Sequence, residues 1–172
     1  MSSSALSDHR QTAPSRFSSA CAVIAVWVPL FVLGMIVHES LHAAAVLVLG
    51  SQPVLVLRPW AFALVPFTMT GVHVQAVPAL DATRQFIDNL AGPGIAALLF
   101  GLAALKAPDG ALRRAAIATT LGLVLYAVIE PADVALDGRL ELGFLTSPEF
   151  NYGVPLLLAA VIAAFTALRA PR

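Results

Sequence analysis

The pattern His38-Glu39-Ser40-Leu41-His42 (the HExxH motif) is the part of this sequence best suited to chemistry. On a helix its two histidines lie one turn apart and face the same way, so both imidazoles can bind one zinc ion. Glu39 can then reach a water molecule on that metal and act as a general base. The spacing therefore predicts a zinc site with His38 and His42 as ligands and Glu39 as the catalytic carboxylate. The alternative is a buried polar cluster that only makes hydrogen bonds to neighbouring helices.

The chain around this motif has the composition of an integral membrane protein. Of its 172 residues, 59% are hydrophobic and 12% are charged, whereas charged residues make up about 25% of a soluble domain. The formal net charge is zero and no long basic run occurs, so we expect the lipid bilayer as surroundings and no nucleic acid as partner. Cys21 is the only cysteine, which excludes an internal disulfide and a cysteine-based metal site.

Long apolar runs predict an all-α membrane protein with about four transmembrane helices. The expected spans are residues 20–49, 86–106, 111–130 and 152–169. The first run, Phe17 to Leu49, is far longer than the roughly 7–15 apolar residues of a signal peptide. Its length of about 48 Å exceeds a hydrocarbon layer of about 30 Å, so this helix must tilt, bend or protrude, with Pro29 as the bend point. Polar residues 1–16 predict a disordered tail before a single domain, residues 17–172.

Residues 51–80, between the first two spans, change in character. Prolines interrupt any helix there, while β-branched and aromatic residues dominate. We expect extended strands or a short hairpin against the membrane, with an edge to which an extended peptide can pair. A loop that only fills the bundle is the alternative. His73, between Val72 and Val74, is a candidate ligand or substrate-binding residue, although a lone strand histidine is more often a hydrogen-bonded polar residue.

The second span contains the sequence Asn89-Leu90-Ala91-Gly92-Pro93-Gly94 near one end. A Gly-Pro-Gly step in a membrane helix allows close helix approach and local unwinding. Asn89, at the same end of the span, is a candidate substrate-binding residue.

A second concentration of carboxylates follows the third span, which is expected to end at Glu130-Pro131. Two histidines need a third ligand to complete a catalytic zinc site. The sequence Leu136-Asp137-Gly138 places an aspartate on an irregular turn, so Asp137 is the first candidate, followed by Asp133 and then Glu130. The alternative is a solvated acidic loop. Because four spans alternate direction, the motif, the start of the second span and these carboxylates lie on one side of the membrane.

Basic residues favour one orientation of this bundle. Three of them lie on the side of the motif and seven on the other, which predicts that both termini are cytoplasmic and that the metal lies toward the extracytoplasmic half. The three are Arg58, Arg84 and Arg139, and the seven are Arg10, Arg16, Lys106, Arg113, Arg114, Arg169 and Arg172. The alanine-rich, short-looped sequence is typical of a multi-pass protein of a bacterial cell membrane.

Together these residues resemble the site-2 protease family of intramembrane zinc metalloproteases. The resemblance rests on the HExxH motif in a membrane helix, on Ala91-Gly92-Pro93 in the next span and on Leu136-Asp137-Gly138 after a later one. It covers about residues 20–145 and implies a minimal member without PDZ or CBS domains. It also implies that His38, His42 and Asp137 bind zinc and that Glu39 is general base and later proton donor. The implied activity is hydrolysis of peptide bonds in or next to transmembrane segments of membrane-protein substrates.

Two positions depart from the pattern of that family. Val128-Ile129-Glu130-Pro131 stands where an asparagine usually precedes the Leu-Asp-Gly, and the asparagine that commonly follows Gly-Pro is replaced around Ala96. In the family, the first of these is thought to help hold the substrate or transition state. A second hypothesis is therefore a non-catalytic zinc-binding protein that acts as a scaffold for a partner's helices. It predicts a closed site with His73 or Asp133 as fourth ligand.

Overall fold

A computed structural model describes residues 16–61, 68–136 and 148–169. The elements in chain order are α1 (Arg16–Val48), β1 (Gln52–Ala61), β2 (Thr68–Val77), α2 (Ala82–Lys106), α3 (Ala111–Ala135) and α4 (Pro148–Arg169). Within these ranges, four helices are long and apolar enough to cross a membrane. The predicted fold class, four membrane helices with a hairpin after the first, is therefore confirmed. Residues 1–15 of the predicted tail lie outside the described residues, and Arg16 already begins α1.

Each of the four helices contains a proline and continues past it, including α2 through Gly92-Pro93-Gly94 and α3 through Pro131. The expected end of the third span at Glu130-Pro131 was wrong, because α3 extends to Ala135. Local unwinding of the second span was also not found. A proline removes one helical hydrogen bond, which neighbouring helices and local adjustment can offset in a membrane bundle. The extra turn keeps Glu130 on a helix face instead of in a loop.

The helix α2 begins where the sequence placed a new helix, at Asp81 to Arg84. Asp81 is the N-cap, and its carboxylate accepts a hydrogen bond of 2.9 Å from the backbone N–H of Arg84. An aspartate at this position satisfies a backbone donor that the first helical turn leaves unpaired. This cap fixes the residue at which α2 begins. It thereby fixes where Gln85, Asp88 and Asn89 lie along the helix axis.

Small residues let the helices approach closely around α1, which contacts each of the other three helices. One buried cluster lies between α1, α2 and α3 and a second between α1, α3 and α4. Small side chains at such contacts are typical of membrane helices, where dispersion and close packing drive association. Large apolar side chains such as Val28, Leu98 and Leu157 are instead more than half exposed, as expected for a surface that faces lipid. The clusters are Ala96, Ala97, Phe100, Leu123 and Tyr126, and Trp27, Ala115, Ala118 and Ala159.

The strands β1 and β2 form an antiparallel hairpin that contacts α1. In its register Leu55 lies opposite Val74, and Val56 lies opposite His73. The backbone N–H of Val74 donates to a side chain of α1 instead of to β1, so this edge of β2 faces the HExxH helix. The hairpin thus places a strand edge beside the candidate site.

Candidate metal centre and the adjoining cavity

The two histidines of the HExxH motif meet as the helical spacing predicts. His38 and His42 are one turn apart on α1 and both are buried, with 3% and 8% of their surface exposed. Their Nε2 atoms are 2.8 Å apart. Two imidazole nitrogens directed at one point inside a membrane helix bundle are suited to share a metal ion.

The third member of the group is Glu130 of α3. One carboxylate oxygen of Glu130 is 3.4 Å from His38 Nε2 and the other is 3.2 Å from His42 Nε2. The three side chains each offer a ligand atom, and these atoms lie within 4.8 Å of one another. Two histidines and one glutamate are a donor set used by catalytic zinc sites, so the residues present fit the ion that the motif implies.

Of the three carboxylates that the sequence offered as third ligand, the structure brings the last-ranked one, Glu130, to the histidines. Asp133 lies on the exposed surface of α3 and is not in the group. Asp137 lies outside the described residues, so its assignment as a ligand stays a prediction. The prediction preferred an aspartate on an irregular turn after the helix, whereas α3 continues past Glu130 for more than a turn.

Asp88 of α2 is a functional candidate that sequence reasoning missed. Asp88 is only 3% exposed, and its carboxylate lies 3.1 Å from His42 Nδ1, the ring nitrogen that does not face the metal group. A signal was present, because an aspartate within an apolar span is costly and usually has a specific partner. That partner, His42, is 46 residues away in the sequence, and only the packing of α2 on α1 identifies it.

Asn89 and Gln85 complete a polar face of α2 beside the metal group. The amide of Asn89 donates to the backbone carbonyl of Glu130 at 3.0 Å. Gln85 Nε2 donates to Asn89 Oδ1 at 2.7 Å. Asn89, predicted as a substrate-binding residue, therefore holds the backbone of a metal-group residue; a contact with substrate stays a prediction.

Gly92 explains the close approach that the Gly-Pro-Gly step predicted. A Cβ atom built on Gly92 would overlap the His42 imidazole. Glycine is thus the residue that leaves room for this ring between α1 and α2. By contrast, a Cβ on Gly94 would meet only the tip of Leu90, at 3.9 Å.

Replacing Gly92 with alanine is expected to displace His42 and weaken metal binding about tenfold or more, with an overpacking cost of about 1–3 kcal/mol. The matched control is Gly94→Ala, the same change two residues along the same helix. Metal affinity and thermal unfolding of both variants, purified in detergent, check this expectation. Equal zinc affinity in Gly92→Ala and Gly94→Ala would show that His42 does not need the space at Gly92.

Glu39 is not a member of the metal group and makes a hydrogen bond of its own. Its Oε2 accepts a hydrogen bond of 2.9 Å from the backbone N–H of Val74, and its side chain is half-buried. The predicted general base is therefore fixed between the HExxH helix and the edge of β2.

Glu39 also lines a cavity of about 490 Å³ between α1, the hairpin and α4. The other walls of this cavity are almost entirely apolar. They comprise Phe31, Val32, Met35, Ile36, Ser40, Ala43, Leu55, Val72, Val74 and Tyr152. An apolar space with one carboxylate in its wall can hold an apolar chain next to a group that accepts protons.

His73 is half-buried in β2 and is not in the metal group found among the described residues. Its two neighbours, Val72 and Val74, both line the cavity. Because side chains alternate along a strand, the ring of His73 lies on the opposite face of the hairpin. Its assignment as a substrate-binding residue stays a prediction.

Comparison of the chain with protein-family models, with curated proteins and with solved structures found no match in any of the three.

Proposed function

We propose that this protein is an intramembrane zinc endopeptidase that hydrolyses peptide bonds in or next to transmembrane segments of membrane proteins. The observation that carries the proposal is the convergence of His38, His42 and Glu130 in a membrane bundle, with Glu39 directly after the first histidine. The alanine-rich sequence and short loops support a bacterial cell membrane as its location.

The donor set supports zinc and an open coordination position. His38, His42 and Glu130 would hold the ion, and in such a site zinc supplies a Lewis acid that activates water and polarises a carbonyl. The group within the described residues has three members and includes neither His73 nor Asp133. Three protein ligands within the described ranges support a catalytic site more than the closed four-ligand site of a scaffold.

In this proposal Glu39 moves the proton that hydrolysis requires. A carboxylate oxygen of Glu39 accepts the proton of the attacking water and later delivers it to the leaving amine nitrogen. The hydrogen bond from Val74 holds this carboxylate at the wall of the cavity, next to where an extended chain would lie. A fixed base of this kind lowers the cost of orientation in the reacting complex.

The surroundings of Glu39 favour an apolar peptide as substrate. Membrane helices resist cleavage because their amides are hydrogen-bonded, so a substrate must unwind locally first. Val74 itself donates to Glu39, but other backbone groups along the same edge of β2 can offer replacement hydrogen bonds to an unwound segment. The apolar cavity then accommodates side chains that come from the bilayer.

Purified wild-type protein in detergent is expected to contain about one zinc per chain, as a single catalytic site requires. It should also cleave at least one of a set of single-span model proteins with different apolar segments. We expect 1,10-phenanthroline to stop the cleavage and added zinc to restore it. Metal content is measured by mass spectrometry and cleavage by the appearance of two fragments.

Other outcomes would contradict the proposal. Another metal in place of zinc, such as iron on the same two-histidine, one-carboxylate donor set, would exclude the zinc assignment. Bound zinc without cleavage across the whole set would favour the non-catalytic scaffold. If the wild-type protein is folded but contains no metal, the HExxH motif is a buried polar cluster and not a metal site.

A further inference from the structure

We infer that Asp88 is a positioning residue that orients His42 for metal binding. This inference rests on the proposed zinc site, which it deepens. The buried carboxylate of Asp88 lies 3.1 Å from His42 Nδ1, while Nε2 of the same ring faces Glu130 and His38. The two ring nitrogens of His42 thus have separate partners on separate helices.

The hydrogen bond at Nδ1 decides which nitrogen of the His42 imidazole carries the proton. A histidine that binds a metal through Nε2 carries its proton on Nδ1, and an acceptor at Nδ1 fixes both the tautomer and the ring angle. A carboxylate is the strongest such acceptor and also makes Nε2 a better donor to the metal. Asp88 therefore selects the form of His42 in which Nε2 is free to bind.

The two histidines differ in this respect. Nδ1 of His38 is buried and has no hydrogen-bond partner within the described part of the chain. The ring of His38 instead packs near Tyr126, with ring centroids 5.8 Å apart. We therefore expect the carboxylate of Asp88 to affect metal affinity through His42 and not through His38.

Neighbouring side chains on α2 help to hold Asp88 in place. Gln85 lies one turn earlier, with its amide 3.4 Å from the second carboxylate oxygen of Asp88. Asn89 follows Asp88 directly and donates to the backbone of Glu130. One face of α2 thus contacts two of the three residues of the metal group, and neither contact is visible in the HExxH motif.

The test measures zinc affinity of full-length protein in detergent by competition with a chromophoric chelator. Asp88→Ala is expected to bind zinc about 10–100-fold more weakly than wild type, the usual effect of losing such a partner. Asp88→Asn should lose less, because its side-chain oxygen can still accept the hydrogen bond from Nδ1. The matched controls are Asp133→Ala and Asp133→Asn, which change an exposed aspartate outside the group.

Two further measurements separate positioning from a purely structural role. The visible absorption of the Co²⁺-substituted protein should change in the Asp88 variants and not in the Asp133 variants. A purely structural role predicts instead lower thermal stability of the metal-free Asp88 variants with unchanged zinc affinity and an unchanged Co²⁺ spectrum. That pattern would overturn the inference.

A measurement on the wild type keeps the inference testable if the variants do not fold. In ¹⁵N-histidine-labelled, zinc-loaded protein, His42 should carry its proton on Nδ1, with that proton shifted downfield by the carboxylate. A proton on Nε2 of His42, or an Nδ1 proton at an ordinary shift, would overturn the role of Asp88. Zinc bound equally well by wild type and Asp88→Ala would refute this role alone, whereas a wild type without zinc would refute the zinc site itself.

Discussion

Changing Glu39 to glutamine is expected to abolish cleavage while leaving zinc in place. The amide keeps the size of the carboxylate but cannot accept the proton of the attacking water. General acid–base catalysis typically contributes about 10²–10⁴-fold in rate, so the residual activity should fall below detection in most assays. Zinc should remain because the three members of the metal group are His38, His42 and Glu130.

The structure explains why this variant should stay folded. The side chain of Glu39 is half-buried and makes a hydrogen bond to the backbone N–H of Val74, and the amide oxygen of glutamine can accept the same bond. The β2 edge should therefore stay against α1. A loss of cleavage then reports on proton transfer and not on the position of the hairpin.

The measurement is the rate of cleavage of a single-span model protein together with the zinc content of the same sample. Asp133→Asn is the matched control, since it makes the same acid-to-amide change at an exposed site. Cleavage by Glu39→Gln at the wild-type rate would exclude Glu39 as the general base. Loss of zinc in this variant would instead show that Glu39 belongs to the metal group.

Removing Glu130 is expected to weaken zinc binding by more than about 100-fold, beyond the usual effect of losing an outer partner of a ligand. The carboxylate of Glu130 is the closest described acidic group to both Nε2 atoms, at 3.4 and 3.2 Å. Without it, only the two histidines would remain of the group found among the described residues. Glu130→Ala should therefore lose both zinc and cleavage.

The resemblance to site-2 proteases makes a competing expectation, with Asp137 as third ligand. Zinc titrations of Glu130→Ala and Asp137→Ala, with Asp133→Ala as control, distinguish the two. We expect the large loss in Glu130→Ala. An equally large loss in Asp137→Ala, with zinc retained in Glu130→Ala, would assign the site to Asp137. In that case Glu130 would be a neighbour of the metal and not a ligand.

The architecture was largely predictable because membrane insertion depends on local properties. An apolar run of sufficient length must form a helix in lipid, where each backbone polar group needs a partner within the segment. Local properties also predicted a hairpin instead of a span for residues 51–80, because prolines interrupt a helix there and β-branched and aromatic residues favour strands. Asp81 as the start of α2 followed from the backbone donors that a helix leaves unpaired.

Part of the site was predictable for an equally local reason. His38 and His42 share a helix face because four residues make about one turn, whatever the rest of the chain does. Their identity as a pair is therefore contained in the motif, and the structure brings their Nε2 atoms together.

The remaining partners of the histidines depend on contacts between helices. Separation along the sequence does not show which residues of different helices come into contact. Glu130 meets the histidines because α3 continues through Pro131. Glu130 therefore lies within the helix, with its side chain directed at the histidines, instead of in a turn after the helix. Asp88 reaches His42 and Gly92 makes room for it because α2 packs closely on α1. The sequence by itself determined the spans, the hairpin and the two histidines, since these follow from local spacing. Only the tertiary structure decided which carboxylates surround the histidines, because that choice depends on how separate helices pack together.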